Sequence, residues 1–428
     1  MTRAKRGGTR SRSALIAAHR YSSRRSPVYL CRVSARVTTS RLGVLPFSLV
    51  TSTTAPPVSD VRLESLTGLR WWAAFGVFWY HMTNLAPLPI VEVADLGNYG
   101  VMFFFVLSGF VLTWSARPGT SVATFYWRRF ARIYPAHFVA LLIAIPVFYS
   151  VNPDPEQWWV KPLDIGVLLL SVLLIQGWFS NPVIFFSGNP AAWTLTVEAF
   201  FYALHPWLSR VLLVLRSRGA LIVAIALVAG SFGWRVLELT LPAVAAAPVP
   251  MPIARLAEFA IGMCIAHAMR HGWRFRVPSW AVVAAGAGLV FLLTVDTATA
   301  WLGPVRDVIR ATQTEWILVF CTLLIAAVAT RDATGSRSWL RHPIMIRLGE
   351  ASYAFYLVHA TVIYFVLSIV GQQPFGWSGL VWYPPLFLAA LAVAFALHLG
   401  VEKPVERRMR RWWDARQAAR AAQQTLSA

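Results

Sequence analysis

From residue 62 to about 407 the chain alternates apolar runs with short polar connections. The runs are 66–84, 98–115, 134–150, 164–179, 193–215, 219–237, 253–270, 280–296, 314–330, 350–370 and 380–400. Most have the length a helix needs to cross a hydrocarbon core of ~30 Å, roughly 17–25 residues. The pattern predicts an all-α polytopic membrane protein. Loop charges test which runs cross, because short cytoplasmic connections carry an excess of Lys and Arg. With the basic N-terminus inside, the 85–97 connection (Glu92, Asp95, no Lys or Arg) falls outside. The 116–133 connection, with Arg117, Arg128, Arg129 and Arg132, then falls inside. Later loops keep the right sign only if 164–179 does not cross. Arg210, Arg216 and Arg218 are then inside, as are Arg270, Arg274 and Arg276, and Arg331, Arg337, Arg341 and Arg347. The connections 239–252 and 371–379, free of Lys and Arg, fall outside. Run 164–179 is short, follows Pro153, Pro155 and Pro162, and leads into the Pro/Asn/Gly-rich stretch 180–190. The reading is about ten transmembrane helices plus one re-entrant or in-plane helix, tolerable only where protein covers its backbone. Both termini are expected on the cytoplasmic side of the cell membrane.

Composition agrees. Hydrophobic residues make up 57% of the chain and charged ones 13%, against about 25% charged in soluble domains; mean hydropathy is +0.56. The net charge of +21 would suggest nucleic acid in a soluble chain. In an apolar one it fits basic loops facing an anionic leaflet, and no nucleic-acid partner is expected. Residues 1–58, rich in Arg and Ser with no acidic residue before Asp60, are set aside as a basic, disordered tail. They leave one membrane domain over 59–407 and a basic cytoplasmic tail over 408–428. Cys31, Cys264 and Cys321 have neither metal nor disulfide spacing, and no metal site is expected.

The candidate chemistry lies inside the apolar runs, where an ionisable side chain is a functional hypothesis by default. Leu66–Met82 (LTGLRWWAAFGVFWYHM) holds Arg70 near one end and His81 near the other, about 16 Å apart at 1.5 Å per residue. Anything that uses both must be long. A neutral imidazole can act as a general base near pH 7. The bland alternatives are an interfacial histidine and an arginine snorkelling to lipid phosphate. In FYWRRFARIYP, Arg128, Arg129 and Arg132 present planar donor forks suited to phosphate, or anchor the positive-inside loop. Glu198 in WTLTVEAFFYALHP is a carboxylate within an apolar run, flanked by Trp193 and Tyr202, and as easily one half of a structural ion pair. Tyr353, Tyr356 and His359 in SYAFYLVHA place polar tips along one late helix, as a site lining or an aromatic belt. Glu402, in VEKPVERR, reads as an inner-boundary residue. No P-loop, G-x-S-x-G elbow, H-E-x-x-H or paired-cysteine motif occurs.

Taken in order, LTGLRWWAAFGVFWYH, GVMFFFVLSGF, FYWRRFARIYP, WTLTVEAFFY, SYAFYLVHA and EKP resemble the acyltransferase-3 family of integral membrane O-acyltransferases, over about residues 62–407. The resemblance implies a catalytic His81 paired with Arg70, and an arginine-rich donor loop at Arg128, Arg129 and Arg132. It also implies an intramembrane carboxylate at Glu198. Many members carry Asp where this chain has Met102, which removes any acceptor contact made by that Asp. An SGNH-type hydrolase domain, which some members append, is not expected here.

The resulting expectation is transfer of a short acyl group, acetyl, from acyl-CoA as co-substrate to a hydroxyl of a sugar, surface glycan or glycosylated metabolite, with no tightly bound cofactor. His81 would take the acceptor proton, and Glu198 would stabilise the imidazolium. Arg70, Arg128, Arg129 and Arg132 would hold the donor, and Trp193, Tyr202, Tyr356 and His359 would line the acceptor side. A secondary transporter with His81 and Glu198 as a proton relay predicts repeat symmetry, which the sequence does not display. A non-enzymatic scaffold predicts that His81→Ala is silent.

Overall fold

The computed structural model describes residues 61–245 and 249–427. The 1–58 tail and Cys31 lie outside the described residues. Twelve helices organise the rest: α1 (Glu64–Met82), α2 (Gly100–Trp114), α3 (Val122–Phe148), α4 (Ile165–Val172), α5 (Trp193–Leu213) and α6 (Ser217–Thr240), then α7 (Leu256–Arg270), α8 (Ser279–Thr294), α9 (Gln313–Ala333), α10 (Pro343–Val370), α11 (Tyr383–Leu397) and α12 (Lys403–Ser427). Short helical turns join them. The extended structure among the described residues is a two-residue parallel bridge, Tyr149–Ser150 against Lys161–Pro162.

Seven helical segments are long and apolar enough to cross a bilayer, or eight if Ser279–Thr294 and Asp296–Leu302, bent by 99°, form one broken span. The chain is a multi-pass membrane protein. The expected ten is not reached by this measure, because α1 and α5 fall below it; Arg70 and His81 in one, and Glu198 and His205 in the other, dilute their apolar content. Run 164–179 folds as the eight-residue α4 followed by a turn at Gln176–Trp178, about 12 Å of helix and too short to span. Exposed Ile222, Ile225 and Val236 on α6 form the kind of apolar surface that lipid, not water, would cover.

Of residues 408–428, expected as a tail, those described (408–427) continue the helix from Lys403. The physical reason is tryptophan packing: Trp127 of α3 lies 5.2 Å from both Trp412 and Trp413, and its Nε1 donates to the Met409 carbonyl at 3.0 Å.

Two contacts fix the inner framework. No side chain of its own caps the start of α1; Asp332 from the end of α9 accepts from the Ser65 backbone N–H at 2.7 Å and from its hydroxyl at 2.6 Å, all buried. A carboxylate there satisfies an orphan amide and complements the helix dipole. Helices α2 and α7 cross so closely that a Cβ on Gly262 would overlap the Val106 carbonyl oxygen, and one on Gly109 that of Phe259. Small residues permit such backbone approach between membrane helices.

Gly262→Ala should therefore lower the unfolding temperature in detergent, at a cost of about 1–3 kcal/mol for overpacking. Gly230→Ala, with nothing within 4 Å of the added methyl, should not. Equal melting curves for the two variants would contradict the close crossing.

Candidate functional site

Helix α1 is two-faced. Trp71, Phe75 and Phe78 pack on Phe355 of α10 and Phe387 of α11, with ring centroids 5.0–6.0 Å apart. That aromatic seam fixes the rotation of α1. Eleven residues are close to three turns, so Arg70 and His81 leave the helix along nearly the same line.

At Arg70 two cavities meet. A small cleft of about 50 Å³ is lined by Arg70, Phe104 and Phe105, by Thr194 and Glu198 of α5, and by Tyr353 and Tyr356 of α10. A larger cavity of about 420 Å³ opens between the start of α1 and the end of α2, with the exposed Arg62 and Arg117 on its rim and Leu66, Phe110 and Trp114 on its walls. Arg70 lines both. Among the described residues its guanidinium makes no hydrogen bond; Glu198 and Glu402 act on it through space, opposed by Arg132.

Glu198 is held by the Tyr202 hydroxyl, which donates to Oε2 at 3.3 Å. The cations that act on it are Arg70, Arg129 and Arg132. No hydrogen bond joins it to His81 among the described residues, so the structure groups Glu198 with the arginines and not with the histidine it was expected to serve. His81 faces His359 instead, with ring centroids 5.1 Å apart. His359 is fully buried and sits one turn beyond Tyr356.

The arginine cluster is divided. Arg132 bonds Glu402 at 2.6 Å and Glu406 at 3.1 Å, and Arg128 meets Asp414 at 3.3 Å. Glu402 on the turn before α12, with Glu406 and Asp414 on α12, already occupies the forks expected to hold a donor. Arg129 has no carboxylate partner among the described residues; it lies over the Phe125 ring and its charge reaches Glu198, Tyr202 and His205. Among the described residues, neither Arg70 nor Arg129 thus has a direct anion, and the charge of each reaches Glu198.

Of the other expected lining residues, Tyr356 borders the cleft, its hydroxyl 3.3 Å from the Ala191 carbonyl. Trp193 packs on Phe185 and Phe105, and Tyr202 stands behind Glu198. Sequence reasoning passed over three contributors. Asn189 donates to the Leu357 carbonyl at 2.6 Å and accepts from Ala191 N–H at 3.1 Å, tying the start of α5 to α10. Ser352 and Thr194 line the cleft. Glu402, read as a boundary residue, is wholly buried between Arg132 and His398, whose Nδ1 is 2.7 Å away, on a π-helical turn. Only the unusual EKP carboxylate signalled it.

Removing Arg132 would leave Glu402 without its cation in a dry site. Arg132→Ala should cost about 3–5 kcal/mol of stability, whereas Arg129→Ala should unfold within a degree or two of wild type. Thermal unfolding in detergent decides this, and the reverse order would contradict the division of roles.

Comparison with known proteins finds relatives for most of the chain. A family model described as an acyltransferase domain matches residues 63–399. The acyltransferase MdmB of Streptomyces mycarofaciens is 34% identical over 385 residues, covering 82% of this chain and 93% of that protein. The peptidoglycan O-acetyltransferase OatA of Listeria monocytogenes is 26% identical over 351 residues; the match covers 77% of this chain but only 54% of OatA. Nodulation protein 10 of Rhizobium leguminosarum bv. viciae is 31% identical over 173 residues, 37% of this chain and 47% of that protein. No solved structure matches.

Proposed function

We propose, from the premise that this chain belongs to the acyltransferase-3 family, that it moves an acetyl group from acetyl-CoA to a hydroxyl of a sugar, surface glycan or glycosylated metabolite. The observation that carries the reading is Arg70, a cation without a direct partner on the wall between a basic-mouthed cavity and a buried polar cleft. A donor with phosphates at one end and a thioester at the other suits that arrangement. Arg62 and Arg117 at the mouth, with Arg129 and Arg70 further in, would neutralise the phosphates, and the apolar walls of Leu66, Phe110 and Trp114 would take the uncharged arm. The relatives' printed names, an acyltransferase and a peptidoglycan O-acetyltransferase, favour acetyl transfer to a hydroxyl.

In this reading His81 takes the proton of the acceptor hydroxyl as its oxygen attacks the thioester carbonyl. The C–O bond forms, the C–S bond breaks, and the proton passes to the leaving thiolate. Glu198, with Tyr202, offsets the charge of Arg70 and Arg129 beside the donor. The bundle would count ten spans once α1 and α5 join the eight apolar segments, with both termini cytoplasmic and the cavity mouth on the donor's side.

The test is label transfer by purified protein in nanodiscs, using radiolabelled acetyl-CoA and an extract of candidate hydroxyl acceptors. Label should enter an acceptor with wild type and fall at least ~10²-fold with His81→Ala, the usual scale of a lost general base. Arg70→Ala should weaken CoA binding roughly 10–100-fold, as loss of a charged hydrogen bond does. Absent transfer from any short acyl-CoA, with retained solute flux in vesicles, would overturn the reading in favour of a transporter.

A further inference from the structure

Among the described residues, the buried nitrogens without a hydrogen-bond partner include His81 Nδ1 and His359 Nε2. Buried polar atoms seldom stay unpaired, so each orphan asks for an explanation. Here the two belong to rings whose centroids are 5.1 Å apart. On His359 the other nitrogen is committed, for Nδ1 lies 2.8 Å from the Tyr356 carbonyl and 3.2 Å from that of Phe355. A carbonyl oxygen only accepts, so His359 Nδ1 carries the proton and, in the neutral ring, Nε2 is left as a bare acceptor. The ring cannot swing away, since it stacks on Phe355 and packs against Tyr356 and is fully buried. What His359 Nε2 lacks is a donor. What His81 Nδ1 lacks is a partner that fixes its tautomer.

Resting on the acyl-transfer reading of this site, we propose that His359 is the positioning partner of His81. Its Nε2 accepts from His81 Nδ1–H through one water, which leaves the His81 Nε2 lone pair to receive the acceptor's proton. The bond made by one ring nitrogen decides what the other can do. This is the place Glu198 was expected to fill, and Glu198 is engaged by Tyr202 on the arginine side of the cleft. A neutral histidine in that place brings no second charge into the apolar core, and it lies on α10 next to Tyr356, which lines the cleft.

The experiment reads the tautomer itself. Full-length protein labelled with ¹⁵N-histidine, in nanodiscs without donor or acceptor, is compared with His359→Leu and His359→Gln, the His81 signals being assigned by their loss in His81→Gln. Wild type should show His81 protonated at Nδ1. His359→Leu should move it to a mixture of tautomers and lower acetyl transfer about 10²-fold with CoA affinity unchanged. His359→Gln, whose amide oxygen can still accept, should keep the Nδ1–H signal and lose less than about tenfold. His359→Phe repeats the test should the leucine variant fail to fold. A wild-type His81 protonated at Nε2, or a tautomer indifferent to His359→Leu, would overturn the pairing. If the tautomer follows His359 while no acyl donor supports transfer, the pairing stands and the proposed function falls.

Discussion

A guanidinium held within a bilayer needs a counter-charge or water, and among the described residues no carboxylate touches Arg70. It is balanced at a distance by Glu198 and Glu402 and opens onto two cavities. The packing around it keeps one cation available between them. The aromatic seam of Trp71, Phe75 and Phe78 sets the rotation of α1, and the Asp332–Ser65 bonds secure its N-terminal end. Charge inside a membrane is expensive, which makes such an arrangement a candidate binding site.

The neighbouring arginines show the contrast. Arg132 and Arg128 carry the same chemistry but spend it on Glu402, Glu406 and Asp414, fastening α12 beneath α3. Arg129, one residue from Arg128 in sequence, leaves the helix about 100° round from it, over Phe125 and toward Glu198. One short motif therefore serves two ends, a structural latch and an inward-facing cation. The Trp127–Trp412–Trp413 stack completes the latch.

The helical character of the bundle and the short 164–179 element were legible in the sequence, because hydropathy and loop charge act residue by residue. Arg70, Glu198 and Tyr356, which line the cleft, stand out in the sequence as polar groups in apolar runs, as does His81, which meets His359 instead. Their pairing does not. Glu198 and His81 both stand near helix ends in the sequence, yet which side chains meet depends on how the helices are set against one another by Phe355, Phe387 and the Gly109–Gly262 crossing. Such packing leaves no local pattern. The burial of Glu402 was hidden for the same reason: its partners Arg132 and His398 come from a distant helix and from its own π-turn. The helix over Lys403–Ser427 was obscured by its basic composition, which reads as a tail until Trp412 and Trp413 find Trp127.

If the two cavities form one donor path through Arg70, a structure of the protein in nanodiscs with a non-transferable acetyl-CoA analogue should show it. Its phosphates should lie at the mouth formed by Arg62 and Arg117, its arm should pass Leu66 and Trp114, and its acyl end should sit past Arg70 beside Tyr356. An analogue bound elsewhere, with the cavity between α1 and α2 empty and Arg70 untouched, would contradict that path.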